Sequence, residues 1–284
     1  MVGDRIGPYE LLEIIGEGAE SRIYKASDAV SGRVVAIKDV IVTEREKEKY
    51  LRHVRNEYRI LRHLWSEPRP VNGAAGFVGV YELMTSGWLR RAKRYSLVME
   101  YVEGQDLRRE KRYPLGQMTD FFRKAAEALA FIHAKRIVHV DVKPENIMIG
   151  PQGKVTLVDF GLSCKAGSRA ERVRGSREYI APEQLNCGII TPLTDVYNFG
   201  ATMYYLLTEM HVPALMPSAD ENGLFIGSET ARPLDPREYN THVPERLSRL
   251  VLACCERELS RRFASAEKIA QTLKEISAEF AAAS

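Results

Sequence analysis

Three short motifs in the second half of the chain constrain its fold more than any other feature of the sequence. The first is the largely polar run His139–Asn146, which is followed directly by the apolar triplet Ile147–Ile149. The second, Asp159–Gly161, follows the strand-like run Val155–Val158, and the third is Ala181–Glu183. A single motif of this size can arise by chance, but chance is a poor explanation for all of them in this order. The order therefore favours one specific architecture.

The bulk composition indicates a soluble globular protein. Of the 284 residues, 45% are hydrophobic and 28% are charged, and the formal net charge is only +3. This near balance gives no reason to expect nucleic acid as a partner. The sequence has no secretory leader pattern and no apolar stretch near the roughly 20 residues that span a bilayer. The four cysteines show no CxxC spacing, so we expect reduced thiols in a cytoplasmic protein that has no membrane partner.

The periodicity of the apolar residues changes along the chain. Strand-like runs fill the first third, interrupted by one charged helical pattern from Thr43 to Trp65. After Gly104 the helical period dominates, which predicts an α+β architecture in two lobes with the boundary near Tyr101. The predicted strand regions are 9–25, 33–40, 77–84 and 95–102, and the later helices are Met118–Arg136, Thr194–Glu209, Glu245–Glu256 and Ala264–Phe280.

A glycine-bearing segment, Gly16–Ile23, lies between two predicted strands. Glycines allow backbone amides to approach phosphate groups because no Cβ stands in the way. A hairpin turn without any ligand explains the same residues equally well. The segment alone therefore leaves both interpretations open.

Lys38 follows Ile37 in a predicted core strand, where an ammonium group needs an anionic partner. Glu57 is the candidate partner because it lies three residues after Val54 and four before Leu61, on the apolar face of its helix. An exposed strand lysine is the commoner state of this residue type. On the residues alone, that alternative stays open.

From Gly16 to Arg262 the motifs resemble, in type and order, those of a eukaryotic-like (Hanks-type) serine/threonine protein kinase domain, and they are similar to those of bacterial Ser/Thr kinases. The resemblance implies a bilobal α+β fold. A small β-rich N-lobe, residues 1–101, would carry the glycine-rich loop and the main helix. A larger, mostly helical C-lobe, residues 102–284, would carry the catalytic loop, the activation segment and the substrate-docking surface. It also implies transfer of the γ-phosphate of ATP to Ser or Thr hydroxyls of protein substrates, with Mg²⁺ or Mn²⁺ as cofactor.

The resemblance implies a role for the ionisable side chains of these motifs. Lys38, paired with Glu57, would bind the α- and β-phosphates. Asp141 would orient the substrate hydroxyl and accept its proton, and Lys143 would reach the γ-phosphate. The implied metal ligands, which both offer oxygen atoms, are Asn146 and Asp159.

The implied nucleotide site draws on several stretches of the chain. Ser21 stands where the family has its third loop glycine, and Met99 would be the gatekeeper. The backbone of Glu100 and Val102 would meet the adenine edge, and Asp106 would face the ribose. Without the resemblance, an ordinary buried strand and a helix N-cap are the preferred explanations of these residues. The implied nucleotide contacts are Gly16, Gly18, Ser21, Ile23, Ala36, Lys38, Met99, Glu100, Val102, Asp106 and Met148.

Residues 175–180 resemble the peptide-docking loop of Ser/Thr kinases, with Ser176 in place of the commoner threonine. The resemblance further implies an ion pair between Glu183 and Arg262. Asp195 matches the aspartate of the family's central helix, although a plain helix N-cap also explains it and both can hold.

The clearest departure from the family pattern is Val140, at the position of the arginine between the catalytic-loop His and Asp. That arginine normally receives a phosphate on the activation segment, so one half of a common switch is missing. The segment between Asp159 and Glu183 contains no threonine, and we expect activity to depend little on phosphorylation of Ser163 or Ser168. Unless the remaining basic residues of the segment substitute for the arginine, packing or a partner, either a regulatory protein or a second copy in a dimer, would set the active conformation. The basic residues of the segment fit either a solvated loop or a receptor for acidic groups, and they are Lys165, Arg169, Arg172, Arg174 and Arg177.

Two other classes of function stay open on the sequence. Ser21 and Val140 slightly favour a pseudokinase, which binds nucleotide or partners without turnover. A small-molecule kinase on the same fold typically lacks the docking segment, so residues 175–183 favour a protein substrate. The residues that pseudokinases usually lose are present here, namely Lys38, Asp141, Asn146 and Asp159.

Overall fold

The computed structural model describes residues 4–18, 21–42, 47–65, 75–86, 93–108, 113–170, 172–213, 218–219, 225–226 and 232–283. These residues divide into two compact units. The first unit comprises the described parts of Met1–Arg69 and Phe77–Glu103 together with Asp159–Gly161. The second unit comprises the described parts of Pro70–Gly76, Gly104–Val158 and Leu162–Ser284.

The described residues form strands, α-helices and short 3₁₀ turns. The strands are β1 (Arg5–Ile6), β2 (Tyr9–Glu17), β3 (Ser21–Asp28), β4 (Val34–Val42), β5 (Ala75–Phe77), β6 (Val80–Ser86), β7 (Lys93–Glu100), β8 (Gln105–Asp106), β9 (Ile137–Val138), β10 (Ile147–Ile149), β11 (Val155–Leu157), β12 (Cys164–Lys165), β13 (Ser218–Ala219) and β14 (Phe225–Ile226). The α-helices are α1 (Lys47–Trp65), α2 (Leu115–Ala134), α3 (Pro182–Leu185), α4 (Pro192–Thr208), α5 (Glu245–Cys254) and α6 (Ala266–Ala283). The 3₁₀ turns are Pro144–Asn146, Pro151–Gly153 and Pro236–Glu238.

A six-stranded antiparallel sheet forms most of the first unit, in the order β1-β2-β3-β4-β7-β6. Its central strands bury apolar side chains such as Ile37 and Leu97. Helix α1 packs against β4, β6 and β7 and buries Val54 and Leu61. Because residues three and four apart share a helix face, Glu57 is carried into the same buried region.

The strands of this sheet differ from the predicted runs in detail. The predicted region 9–25 is the hairpin of β2 and β3, whose turn follows Glu17. The region predicted to begin at Phe77 is divided between β5 and β6. The helix predicted from Thr43 is described from Lys47, and residues 43–46 lie outside the described part of the chain.

Helices dominate the second unit, where α2 packs against α6 and α4 packs against α5. Four short strands form a small sheet in the order β5-β11-β10-β8. On β10, Met148 is opposite Asp106 of β8 and Thr156 of β11. Strand β10 begins directly after Asn146. Its pairing with β8 and β11 therefore fixes the position of the end of the His139–Asn146 motif.

Local backbone geometry explains where the long helices end. Helix α2 was predicted to reach Arg136 but ends at Ala134, because Arg136 has a left-handed φ of 59°. Helix α4 begins at Pro192, a residue suited to a first helical position, and Glu209 ends it with a φ of 59°.

The observed architecture confirms the α+β prediction. The first unit is β-rich with one long helix, and the second is mostly helical. Within the part of the chain described above, no helix is both long and apolar enough to cross a bilayer.

Candidate active site

The first unit contains a three-residue charge cluster built from β4, α1 and the Asp159–Gly161 segment. Lys38 Nζ donates to Glu57 Oε2 at 2.8 Å and to Asp159 Oδ1 at 2.8 Å. The Glu57 side chain is 1% exposed, whereas that of Asp159 is 45% exposed. The lysine therefore joins a buried carboxylate to one that solvent or a ligand can reach.

The cluster sets the protonation of its members. Burial by itself would lower the pKa of Lys38, but the charges of Asp159 and Glu57 outweigh it and raise the pKa. Burial also raises the pKa of the Glu57 carboxyl, and the Lys38 ammonium opposes that rise. At neutral pH the ammonium of Lys38 is accordingly charged.

Gly161 lies against this cluster. A Cβ at that position would be 3.3 Å from Asp159 Oδ1, 3.6 Å from Glu57 Oε2 and 3.8 Å from Lys38 Nζ. A side chain there would be in tight contact with the Asp159 carboxylate and in ordinary van der Waals contact with the other two atoms. The sequence predicted Lys38 and Glu57 as a pair but did not predict that Asp159 joins them.

The glycine hairpin closes through the backbone. Gly16 on β2 pairs with Ile23 on β3, and the Gly18 N–H donates to the Ser21 carbonyl at 2.8 Å. A Cβ at Gly18 would lie 3.1 Å from Ser21 Oγ, so a side chain there would crowd the turn. Ser21, the first residue of β3, therefore closes the hairpin by accepting this bond.

The segment at the end of β7 carries the predicted adenine contacts. Met99 is buried and lies opposite Ala36 of β4 in the ladder. The Glu100 N–H donates to the Gly79 carbonyl at 2.9 Å, so the backbone at the end of β7 is bonded to the residue before β6. Val102 lies beyond the end of the strand and is half-buried.

In the second unit, polar side chains of the His139–Asn146 motif form a compact cluster with Ser176. Lys143 Nζ lies 3.0 Å from Asp141 Oδ2 and donates to Ser176 Oγ at 2.7 Å. The Ser176 N–H donates to Asp141 Oδ1 at 2.8 Å, and Asn146 Nδ2 donates to the Asp141 carbonyl at 2.8 Å. A seryl hydroxyl is thus held by an ammonium group beside a carboxylate.

Asp195 supports this motif from helix α4. Its fully buried carboxylate accepts hydrogen bonds from the His139 and Val140 N–H groups, both at 2.7 Å, and contacts His133 Nε2 at 2.8 Å. The N-cap of α4 is Thr191. The alternative that Asp195 is a helix N-cap is therefore wrong, because its oxygens bond His133 and the backbone of the His139–Asn146 motif and not its own helix.

Asp106 is also not a helix N-cap. It lies on β8, and its Oδ1 accepts the Arg108 N–H at 3.0 Å in a local turn. The register brings it opposite Met148, another predicted nucleotide contact. Both residues are half-buried on neighbouring strands.

Val140 has a left-handed φ of 74° although its side chain is β-branched and buried. Such a conformation costs about 1–3 kcal/mol and persists only where the surroundings determine it. The bond from its N–H to Asp195 supplies part of that constraint. Nothing in the residue pattern signalled this strain.

Ser163 is not an accessible hydroxyl. It is 1% exposed, and its Oγ donates to the His139 carbonyl at 3.1 Å. A phosphate at this position would break that contact, and the expected independence of activity from Ser163 phosphorylation stays a prediction. Ser168 is half-buried and stays a candidate.

The predicted pair of Glu183 and Arg262 forms a bidentate contact. Arg262 Nη1 donates to Glu183 Oε1 at 2.7 Å, and Nη2 donates to Oε2 at 3.1 Å. Arg262 also donates to the carbonyls of Leu193, Glu256 and Arg257. The guanidinium therefore ties the third motif to α4 and to the chain that follows α5.

Replacing Arg262 with methionine is expected to destabilise the fold by about 3–5 kcal/mol, because it leaves the Glu183 carboxylate buried without a partner. The matched control is Arg261→Met, since Arg261 is 60% exposed and pairs with Glu258 at the surface. Thermal and denaturant unfolding of both variants measure the difference. Equal stabilities of the two variants would contradict this assignment.

The predicted site residues thus lie in two groups, one in each unit. The first unit contains Gly16, Gly18, Ser21, Ile23, Ala36, Lys38, Glu57, Met99, Glu100, Val102 and Asp159. The second contains Asp106, Asp141, Lys143, Asn146, Met148, Ser176, Glu183, Asp195 and Arg262.

Comparison with known proteins identifies the family. A protein kinase domain model matches residues 9–273. The serine/threonine-protein kinase PrkC of Bacillus subtilis is 28% identical over 96% of this chain and 41% of its own length. A probable serine/threonine-protein kinase of Clostridium acetobutylicum is 29% identical over 94% of this chain and 40% of its own length, so the chain spans about two-fifths of these relatives. An Aurora kinase of Schizosaccharomyces pombe is 30% identical over 72% of this chain and 55% of its own length. This chain belongs to the protein kinase family.

Proposed function

We propose that this chain transfers the γ-phosphate of ATP to serine and threonine hydroxyls of protein substrates. The observation that carries the proposal is the contact of Lys143 with both Asp141 and the hydroxyl of Ser176. This contact places a hydroxyl beside a carboxylate base and a cation, which is the placement that a substrate hydroxyl needs. Membership of the protein kinase family supports the same reaction.

Asp141 accepts the proton of the substrate hydroxyl in this proposal, and Lys143 stabilises the charge on the phosphate. Asp141 is suited to the role because its Oδ1 accepts the Ser176 N–H and its backbone carbonyl accepts Asn146 Nδ2, so its orientation is constrained from two directions. Orientation of this kind supplies much of the rate in phosphoryl transfer.

Lys38 neutralises charge on the nucleotide phosphates. Its ammonium stays charged because Asp159 and Glu57 raise its pKa, and Glu57 fixes its position from the buried side. The exposed part of Asp159 leaves this end of the cluster accessible to a ligand. The glycine hairpin, with Gly18 bonded to Ser21 through the backbone, would cover the phosphates.

The residues present fit a Mg²⁺ or Mn²⁺ ion. Asn146 uses its Nδ2 to donate to Asp141, so its amide oxygen is the atom available to a cation. In the first unit, Asp159 carries a half-exposed carboxylate, and oxygen donors of both kinds are the ligands that these ions prefer. A bound divalent ion supplies charge neutralisation of the transferring phosphate.

The test of the proposal compares ATP labelled with ³²P at the γ position and at the α position. Incubation with Mg²⁺ and dephosphorylated casein should label protein from γ-labelled ATP only. Binding of ATP without label transfer would favour the pseudokinase alternative. Label appearing only in small molecules would favour a small-molecule kinase.

We further propose that the reaction takes place in the cytoplasm. The four cysteines are free thiols in the described structure, which suits a reducing compartment. Protein substrates are the partners that the docking loop supports. A regulatory partner or a dimer stays a prediction from the sequence.

Val140 stands at the family's arginine position, and we expect activity to be independent of phosphorylation of Ser168. The valine offers no charge-assisted hydrogen bond to a phosphate. Phosphatase-treated enzyme and the Ser168→Ala variant should retain activity within about threefold of untreated enzyme, with the exposed-loop variant Ser31→Ala as control. A drop of tenfold in both treated forms, roughly 1.4 kcal/mol in the barrier, would show that a phosphate switch operates.

A further inference from the structure

Gln184 occupies an unusual position between the docking loop and the catalytic motif. Its side chain is 1% exposed, although glutamine is mostly a surface residue. It lies on the short helix α3, directly after Glu183. A fully buried carboxamide must bond its two N–H groups and its oxygen to avoid a large desolvation cost.

Every hydrogen-bonding position of this carboxamide is used. Nε2 donates to the Val140 carbonyl at 2.9 Å and to the Arg174 carbonyl at 2.8 Å. Oε1 accepts the Ala181 N–H at 2.9 Å and Asn198 Nδ2 at 2.8 Å. Both donors and both acceptor positions of a single side chain are thus bonded to different residues.

Asn198 extends the contact to helix α4. It is 1% exposed, and its Nδ2 also donates to the Tyr179 carbonyl at 2.7 Å. The two buried amides therefore bond the backbone directly before the docking loop, at Arg174, near its end, at Tyr179, and directly after it, at Ala181. They anchor both ends of that loop to one helix and to the catalytic motif.

Gly175 provides independent evidence that this contact is built into the fold. Its φ is 120°, and a Cβ there would lie 2.7 Å from Gln184 Nε2. A residue with a side chain would therefore displace the carboxamide as well as strain the backbone. The adjacent residue, Ser176, donates its N–H to Asp141.

The two carbonyls that Gln184 binds lie next to the functional groups. Val140 precedes Asp141 in the chain, and Arg174 lies two residues before Ser176. Val140 also has a left-handed backbone that needs external constraint, and Asp195 bonds its N–H while Gln184 bonds its carbonyl. Both backbone polar groups of this strained residue are therefore bonded to buried side chains.

We propose that Gln184, assisted by Asn198, is a positioning residue that aligns the docking loop with Asp141 through buried neutral hydrogen bonds, without a phosphate. In other members of the family, a contact between an arginine and a phosphate joins the loop to the catalytic motif. Here the neutral hydrogen bonds of the Gln184 carboxamide join them. The inference rests on the proposed kinase function. It adds a specific cause for the expected independence from phosphorylation, and it assigns a role to residues outside the kinase motifs.

The test uses Gln184→Met, which keeps the length and volume of the side chain but removes all of its hydrogen bonds. With phosphatase-treated enzyme, kcat/KM for dephosphorylated casein should fall at least thirtyfold, while the Kd for a fluorescent ATP analogue changes less than threefold. The control is Thr119→Val, which removes one buried hydrogen bond within α2 and should leave both quantities unchanged. Amide hydrogen exchange over residues 174–181 should be faster in Gln184→Met than in wild type.

Several results would overturn the inference. One is a Gln184→Met enzyme with casein kinetics within threefold of wild type. Another is a parallel loss of casein activity, ATP affinity and thermal stability, since that pattern indicates a general structural role. If Gln184→Met does not fold, Asn198→Ser decides, because it leaves both Gln184 donations in place but removes the amide that bonds Tyr179. It should lower casein kcat/KM about tenfold with ATP affinity unchanged, and wild-type kinetics would count against the inference.

The exchange measurement separates this inference from the proposed function. A wild-type enzyme that labels no protein would remove the proposed function. Protection of residues 174–181 that depends on Gln184 would still support its role in positioning the loop. Protection that is the same in wild type and Gln184→Met would overturn that role, whether or not the wild type is active.

Discussion

Replacing Lys38 with methionine is expected to lower phosphate transfer by about a hundredfold to a thousandfold while the chain stays folded. The ammonium is the cation that links Glu57 and Asp159, and loss of one preorganised charge at a phosphoryl site typically costs two to three orders of magnitude in rate. Asp159→Ala should have a similar effect, because it removes the other half of the contact together with a proposed metal ligand.

The matched control for this variant is Lys25→Met. Lys25 lies on the neighbouring strand β3, and its side chain is 30% exposed with Glu13 as its partner at 3.6 Å. It should retain wild-type activity. Circular dichroism should therefore show that both variants are folded, whereas the transfer assay should show activity for Lys25→Met and a large loss for Lys38→Met. Wild-type turnover in purified Lys38→Met would remove Lys38 from the site.

The stability of Lys38→Met should depend on pH. Without the lysine, burial keeps the pKa of Glu57 above its ordinary value, so the folded variant favours the protonated carboxyl. A group whose pKa is raised on folding contributes its stability at low pH and loses it as pH rises through the raised pKa. The variant should therefore lose more stability, relative to wild type, at pH 8 than at pH 5.

Asp141→Asn is expected to lower kcat by roughly two to four orders of magnitude and to leave ATP affinity within about threefold of wild type. Asparagine can still accept the Ser176 N–H, so the geometry is preserved, but it cannot take up the substrate proton. Single-turnover transfer and binding of a fluorescent ATP analogue measure the two quantities separately.

The control for Asp141→Asn is Asp120→Asn on α2, where the half-buried carboxylate pairs with Arg123 and Lys124. It should behave as wild type in both assays. A loss of ATP affinity as large as the loss of rate in Asp141→Asn would place that residue in nucleotide binding instead of proton transfer.

The motifs predicted the residues of the site because each motif combines several residue types in an order that is typical of one function. Glu57 was recognisable from its place on the apolar face of α1, and the fold brings it to Lys38 as that pattern indicates. The strands and helices followed from apolar periodicity to within a few residues. Errors at helix ends arose where a residue with a left-handed backbone conformation, such as Arg136, ended the helix although the apolar periodicity continued in the sequence.

Long-range contacts between polar side chains could not be predicted in the same way. Asp159 bonds Lys38 across 121 residues, and no local pattern encodes that separation. Asp195 was open to interpretation as an N-cap because local rules see only its own helix, whereas its partners lie 55 and 56 residues away. Gln184 carries no motif signal, and only its burial and its partners indicate a role.

The most direct test of the proposed Ser/Thr kinase activity is phospho-amino-acid analysis of casein labelled by the purified chain with γ-³²P-ATP and Mg²⁺. We expect phosphoserine and phosphothreonine, no phosphotyrosine, and no label when Asp141→Asn replaces the wild type. Label on tyrosine, or equal labelling by wild type and Asp141→Asn, would contradict it.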